Sequence, residues 1–197
     1  DVVLIVADKN KVTLPTLGAL RLKVAKQLDI IPEGEFKFLW ITEFPFFEWN
    51  EETQHWDAMH HPFTKPLDEC IQYLDSAPEK VFADAYDLVL NGIELSSGSI
   101  RITDPELQKH MFEALGLSDE EAYAKFGFLT DAFRFGAPPH GGMGIGLDRL
   151  TMLLCGCDNL RDVIAFPKVS NSSELMSGAP AEVDNAQLKE LSISIDG

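Results

Sequence analysis

The sequence has few basic residues. Of its 197 residues, 16 are lysine or arginine and 32 are aspartate or glutamate, which gives a formal net charge of -16. A surface this acidic repels phosphate backbones over most of its area, so any contact with nucleic acid has to be local or has to come from other parts of a protein. The same charge also keeps an ordinary soluble protein in solution, and composition alone leaves both interpretations open.

Cysteine and long apolar runs are also scarce. The three cysteines, Cys70, Cys155 and Cys157, are an odd number without a disulfide framework, and the last two are too close together and too isolated for a zinc site. We interpret them as reduced thiols. No stretch approaches the ~18 consecutive apolar residues of a membrane-spanning helix, and no signal peptide opens the chain. These absences predict a cytoplasmic protein.

An initiating methionine is missing as well. The chain begins with Asp1, and residues 1–7 already have the pattern of a buried strand. We therefore expect the chain to be part of a longer protein. Its 45% hydrophobic residues are enough for one core of ordinary domain size.

A change of pattern near residue 33 predicts two domains. Apolar residues recur at helical spacing between residues 17 and 28, and Pro32-Glu33-Gly34 then breaks the helix. We predict a first domain at residues 1–33 and a second at residues 34–197, with an irregular tail from about residue 169.

The second domain is predicted to combine antiparallel strands with helices. Asn91-Gly92, between two strand-like runs, is the strongest two-residue hairpin signal. Asp104-Pro105 is a helix start, and Ser118 with Glu121 three residues later is a capping box. Because these elements lack a βαβ rhythm, the sequence predicts an α+β fold with a mostly antiparallel sheet and flanking helices.

The hairpin carries two acidic residues. A two-residue loop pairs Val89 with Glu94 and Leu88 with Leu95, so that Asp87 and Glu94 share one face. Two carboxylates within reach of one ion suit magnesium bridged to phosphates. The alternative is a solvated outer face, which geometry alone leaves open.

An arginine follows the same hairpin. Glu94 and Arg101 are seven residues apart and would point to opposite faces of an unbroken strand. A bulge at Gly98, within a run of small residues, would bring both to one side and let a flat ligand approach the backbone. The alternative is a loose edge strand with its arginine in water.

Two histidines stand together before Pro62. Adjacent residues of an extended chain point in opposite directions, so His60 and His61 are a poor pair of ligands for one metal. One of them can meet an anionic substrate group while the other packs. A structural pair without a ligand is the alternative.

A glycine-rich segment at residues 141–147 leads into Asp148-Arg149. It is neither a dinucleotide fingerprint nor a phosphate loop of the lysine type. We predict a strand with one face cleared by glycine, then a helix that Asp148 caps. Arg149 lies in its first turn, where the helix dipole favours anions and a guanidinium suits a polyphosphate. A role in packing only is the alternative to a nucleotide site.

Four of these segments together resemble the bacterial-type aspartyl-tRNA synthetases of class II. Residues 144–150 resemble motif 3 of that class, and residues 59–64 (MHHPFT) are similar to its aspartate-specific histidine loop. Residues 86–102 resemble its substrate-binding hairpin, and residues 7–21 resemble the end of its inserted GAD domain. The resemblance identifies the first predicted domain as the carboxy-terminal remnant of the GAD domain and the second as the carboxy-terminal part of the catalytic domain.

The resemblance implies an aspartate–tRNA ligase. Such an enzyme forms aspartyl-adenylate from ATP and L-aspartate and transfers the aspartyl group to tRNA(Asp). It further implies ATP and Mg²⁺ as ligands, contact with the tRNA acceptor end, a homodimer in the full protein, and no membrane. The alternative is a non-catalytic synthetase paralogue or ligand-binding module.

Site residues are implied in the same way, and none is assigned as catalytic, because positioning and charge neutralisation carry the reaction. Arg101 would hold the side-chain carboxylate of aspartate, with His60 closing over the amino acid and His61 supporting the loop. Asp87 and Glu94 would hold magnesium, and Arg149 would meet the γ-phosphate. The ATP site as a whole would comprise Glu94, Gly146, Leu147, Asp148 and Arg149.

Motifs 1 and 2 and an anticodon-binding domain are not found in this sequence. In the family, motif 2 supplies an arginine to the α-phosphate and motif 1 builds the dimer. We therefore expect this chain alone not to aminoacylate tRNA. Ser96 and Ser97 also stand where the family usually has glycines.

Overall fold

A computed structural model describes residues 2–195 and confirms the α+β class. Its α-helices are α1 (Asn10–Gln27), α2 (Pro105–Ala114), α3 (Asp119–Phe133), α4 (Leu147–Leu154) and α5 (Asn185–Glu190). Its strands are β1 (Phe38–Pro45), β2 (Phe47–Asn50), β3 (His55–Ala58), β4 (Phe82–Leu90), β5 (Ile93–Ile100) and β6 (Gly141–Ile145). Short 3₁₀ helices lie at Asp68–Tyr73, Pro78–Lys80 and Leu160–Val163. Within residues 2–195, no helix combines the length and the apolar composition that a bilayer crossing requires.

The described residues form two compact units that divide between Phe38 and Leu39. The first contains α1, which confirms the predicted helix and extends it towards the amino terminus. The predicted strand at residues 1–7 was wrong for residues 2–7, and Asp1 lies outside the described residues. Residues 2–7 pair with no strand of the described chain, and an apolar run without a pairing partner does not become a strand.

The second unit contains two sheets. The larger has the strand order β1-β4-β5-β6, and the smaller pairs β2 with β3. β4 runs antiparallel to β5, and β5 antiparallel to β6. The predicted irregular tail consists of loops, two isolated bridges and the short helix α5.

The core of the second unit lies where β4, α2 and the aromatic start of β2 meet. Phe46 and Met111 are fully buried there, with Val81 and Ile102 each about 1% exposed. Ile102 follows β5, and Met111 lies on the inner stripe of α2. Burial of these side chains anchors the carboxyl end of β5 against α2.

Two of the three predicted helix starts are confirmed. The Asp104 carboxylate accepts the Glu106 N–H at 2.8 Å, and Ser118 forms a complete capping box with Glu121. The third was wrong, because Gly146 rather than Asp148 is the N-cap of α4. The Gly146 N–H still donates to Leu95 of β5 while its carbonyl accepts from Leu150, so the helix begins as soon as strand pairing ends.

The hairpin loop is confirmed, but the register changes after two pairs. Leu90 lies opposite Ile93 and Val89 opposite Glu94, whereas Leu88 lies opposite Ser96 rather than Leu95. Leu95 is therefore the extra residue of a β-bulge, and the predicted bulge position at Gly98 was wrong. Leu95 and the next residue of β5, Ser96, are both buried at this bulge.

Gly98 lies at a close contact between β5 and β6 rather than at a bulge. A Cβ atom at this position would lie 2.1 Å from the Gly142 carbonyl oxygen and 2.8 Å from the Tyr86 ring. The Tyr86 hydroxyl donates to the same carbonyl at 3.2 Å. Absence of a side chain at Gly98 thus permits the close approach of β5 and β6 beneath the Tyr86 ring.

Gly98→Ala is expected to lower the free energy of unfolding by about 3 kcal/mol, because the obstacle is main chain and cannot move aside like a flexible side chain. Urea unfolding followed by circular dichroism measures this. The matched control is Gly144→Ala on β6, where an added Cβ meets nothing within 4 Å. Equal stability of the two variants would contradict the prediction.

Candidate functional site

The bulge at Leu95 brings the charged residues of the hairpin to one face. Asp87 is two residues from Val89, whose partner is Glu94, so Asp87 and Glu94 share a face. Asp87 itself pairs with Ser97, and alternation from Ser97 reaches Arg101 on that face. The predicted effect of a bulge is therefore confirmed, although its position is not.

The histidine loop (residues 59–64) lies beside the carboxyl end of β5. Ile102 N–H donates to the Phe63 carbonyl at 3.0 Å, and Lys65 N–H donates to the Ile100 carbonyl at 2.9 Å. Thr64 and Arg101 form an isolated antiparallel bridge between these bonds. On its other side, Arg101 N–H donates to the His140 carbonyl at 3.0 Å. The backbone of Arg101 is thus fixed from both sides.

His61 is the histidine that meets Arg101. An Arg101 guanidinium N–H donates to the His61 ring, and the Phe63 backbone N–H approaches His61 Nδ1 at 3.2 Å. Because both groups are donors, the ring has to be neutral to accept either of them. Burial, followed by the positive charge of Arg101, lowers the pKa of His61. Hydrogen bonding and the lowered pKa both favour the neutral form of His61.

Two further polar residues, which the sequence did not single out, belong to this cluster. The Thr64 hydroxyl is 3.4 Å from both ring nitrogens of His61 and 3.4 Å from the Ser99 hydroxyl. Thr64 and Ser99 are both buried. Thr64 could have been found as the last residue of the histidine loop, whereas Ser99 gave no local signal beyond its place in a run of small residues.

His60 points to a different environment, as expected for neighbours in an extended chain. Its ring lies edge-on to Phe44 and Phe46, with ring centroids 5.8 and 5.9 Å away. Its Nε2 atom is buried without a hydrogen-bond partner among the described residues. Burial lowers the pKa of His60, and the charge of Asp87 acts in the opposite direction. His60 therefore has a buried ring nitrogen that the described residues leave without a hydrogen-bond partner.

The amino-terminal end of β5 carries a second pair of charges. Arg149 donates to the Glu94 carboxylate at 3.0 Å and to the Glu94 carbonyl at 2.6 Å, and both side chains are about half exposed. The other residues predicted to bind ATP follow β6. The Gly146 N–H donates to the Leu95 carbonyl of β5, Leu147 is largely exposed, and Asp148 lies in the first turn of α4. An exposed ion pair of this kind contributes little to stability, so its members can change partners at small cost.

Predicted site residues therefore meet in two direct contacts along the hairpin, Arg101 with His61 and Glu94 with Arg149. Asp87 shares a face with Glu94, and its charge acts on the pKa of His60. Within residues 2–195, no group of three or more acidic, histidine or cysteine side chains is arranged to hold a metal. The hairpin thus offers a cation two carboxylates at most.

The lowered histidine pKa values predict a loss of stability in acid. An unfolded histidine titrates near pH 6.5, above both folded values, so the unfolded chain binds more protons as the pH falls below about 6.5. The free energy of unfolding should therefore be lower at about pH 5.5 than at about pH 7.5.

His61→Gln should reduce that loss, because glutamine takes up no proton on unfolding and can still accept from Arg101. Urea titrations at the two pH values measure the effect. The control is His55→Gln, which changes an exposed histidine of β3. An unchanged pH dependence in His61→Gln would contradict the assignment.

Known proteins match almost the whole chain. It is 59% identical over 195 residues to the aspartate–tRNA ligase of Ruminiclostridium cellulolyticum, covering 99% of this chain and 33% of that protein. It is 57% identical over 196 residues to the aspartate–tRNA(Asp/Asn) ligase of Caldanaerobacter subterraneus, covering 100% of this chain and 33% of that protein. The chain thus spans about a third of the length of these relatives.

A solved structure is also similar. The aspartyl-tRNA synthetase from Entamoeba histolytica matches with a TM-score of 0.54 and 26% identity, covering 85% of this chain and 29% of that one. The sequence model of the family described as tRNA synthetases class II (D, K and N) matches residues 15–170. That stretch includes the histidine loop, the hairpin and the start of α4. The chain therefore belongs to the class II tRNA synthetases of the D, K and N group.

Proposed function

We propose that this chain forms the aspartate-binding and ATP-binding part of an aspartate–tRNA ligase. The observation that carries the proposal is the hairpin face shared by Asp87, Glu94 and Arg101, with His61 on Arg101 and Arg149 on Glu94. One end of β5 presents a fixed guanidinium to an anion, and the other presents carboxylates and an arginine. The names of the relatives support aspartate as the amino acid.

At the carboxyl end of β5, Arg101 would bind the side-chain carboxylate of aspartate. Its backbone is held on both sides and its guanidinium is steadied by neutral His61, which leaves the remaining donors for a bidentate contact. His60 would close over the amino acid and use its unpaired Nε2 there.

At the other end, Glu94, Gly146, Leu147, Asp148 and Arg149 would line the ATP site. Arg149 would exchange the Glu94 carboxylate for the γ-phosphate, at small cost because the ion pair is half exposed. Released from Arg149, Glu94 would bind Mg²⁺ together with Asp87. Two carboxylates suit this ion, which proteins commonly bind through one or two carboxylates together with substrate phosphates.

Magnesium, when bound, would neutralise phosphate charge. The chain's own residues would orient the aspartate α-carboxylate towards the α-phosphate, and no side chain described here would take part covalently. The proposal extends to the whole protein, in which residues 1–33 would end a GAD domain and residues 34–197 would complete the catalytic domain. That protein would be a cytoplasmic homodimer that binds the acceptor end of tRNA(Asp).

A hybrid enzyme tests the proposal. In it, this chain replaces the matching third of the Ruminiclostridium cellulolyticum ligase, which supplies the remaining segments. We expect aspartate-dependent exchange of pyrophosphate into ATP by the hybrid and none by the chain alone. Failure of a folded hybrid to exchange pyrophosphate would refute the proposal, and binding of ATP without exchange would favour a ligand-binding module.

A further inference from the structure

A buried glutamine on α2 contacts the histidine loop. Gln108 is about 2% exposed, and its Nε2 donates to the Pro62 carbonyl at 2.8 Å, across 46 positions of the sequence. Pro62 directly follows the two histidines. The contact therefore fixes the main chain of the loop next to His61, at a point where no regular sheet ladder holds it.

The next residue of the loop is fixed by aromatic packing. The Phe63 ring lies edge-on to Phe112 of α2 and Phe126 of α3, with centroids 6.1 and 5.1 Å away. These two rings are stacked on each other at 5.4 Å. α2 and α3 thus hold residues 62 and 63 by one hydrogen bond and one ring cluster.

Stability alone does not account for a glutamine at this position. Its Oε1 atom is buried without a hydrogen-bond partner among the described residues, an arrangement that costs free energy. A methionine would fill the same volume without an unpaired acceptor. The benefit of the amide is the one hydrogen bond that it donates to the histidine loop.

We propose that Gln108 is a positioning residue for aspartate. Acting through Pro62, it sets the place of His61, and His61 sets the orientation of the Arg101 guanidinium. This inference rests on the proposed function, in which Arg101 binds the substrate carboxylate. ATP would be little affected, because Arg149 and Glu94 lie at the opposite end of β5.

The first test needs no activity. Hydrogen exchange of the backbone is measured by mass spectrometry in the chain itself, comparing Gln108→Met with the matched control Gln72→Met. Gln72 is exposed and donates to a backbone carbonyl only three residues away. We expect about ten-fold faster exchange in residues 59–64 for Gln108→Met and no change there for the control. Unchanged exchange in Gln108→Met would overturn the proposed anchor.

The second test uses the hybrid enzyme. Gln108→Met should raise KM for aspartate about ten-fold while KM for ATP stays within about two-fold, because a misplaced loop weakens only the aspartate contact. If Gln108→Met does not fold, Gln108→Leu also removes the donor without burying a charge and should likewise raise KM for aspartate but not for ATP. A parallel rise of both KM values, or no rise of either, would overturn the proposal. The unmodified hybrid is assayed in parallel. If it exchanges pyrophosphate, the proposed function holds, and any result for Gln108→Met then bears on Gln108 alone.

Discussion

Arg101→Leu in the hybrid enzyme is expected to lower kcat/KM for aspartate about a thousand-fold and to leave the low activity with asparagine little changed. Aspartate and asparagine have nearly the same shape, so packing separates them weakly. In the proposed site, bound substrate covers the partly buried Arg101 guanidinium, and asparagine would leave its charge uncompensated, at a cost of roughly 3–5 kcal/mol. Leucine removes the attraction for aspartate, and asparagine, although freed of that penalty, finds no partner for its side-chain amide beside leucine and stays a poor substrate.

The structure makes this experiment specific to the side chain. The Arg101 backbone N–H donates to the His140 carbonyl, and its neighbours Ile100 and Ile102 are bonded to the main chain of Lys65 and Phe63, so the strand does not depend on the guanidinium. Lysine at position 101 should restore activity only in part, because it lacks the bidentate fork.

Steady-state pyrophosphate exchange with each amino acid measures the effect. Arg134→Leu, at the exposed carboxyl end of α3, is the control for loss of an arginine. Near-normal aspartate activity in Arg101→Leu would mean that Arg101 does not face the substrate.

Arg149→Met is expected to lower kcat/KM for ATP about a hundred-fold, the usual effect of removing one preorganised charge. The free energy of unfolding should change by less than about 1 kcal/mol, because the Glu94–Arg149 pair is about half exposed. This combination separates a role in nucleotide binding from a structural role.

Exchange kinetics at varied ATP and a urea titration provide the two measurements, with Arg134→Met as the control. If the free energy of unfolding falls enough to account for the lost activity, Arg149 has a structural role only. If the ATP kinetics are unchanged, Arg149 does not bind ATP.

Local signals predicted the parts of the fold that depend on neighbours in sequence. Asn91 and Gly92 adopt positive φ of 51° and 82°, which is the conformation a two-residue hairpin loop requires. Asp104 and Ser118 cap their helices because the side-chain oxygen of each accepts a backbone N–H two or three residues later that has no partner within the helix. These elements are determined by residues that are close together in the sequence.

Contacts between distant segments account for what the sequence did not predict. The bulge at Leu95 depends on the pairing of β5 with both β4 and β6, and the early start of α4 depends on the bond from Gly146 to Leu95. The contact of His61 with Arg101 spans 40 positions and that of Arg149 with Glu94 spans 55. Residue types indicated which side chains were candidates for the site, but not which of them contact each other.

The close approach at Gly98 also determines how the protein can change over evolutionary time. At most core positions a larger side chain can be accommodated by a smaller neighbour, so substitutions drift in compensating pairs. At position 98 the nearest obstacle is the main chain of Gly142, which no substitution elsewhere shortens. Ancestral and descendant sequences should therefore keep glycine at this position whatever they place around it, whereas no described atom of the chain lies in the way of a Cβ at Gly142 or Gly144.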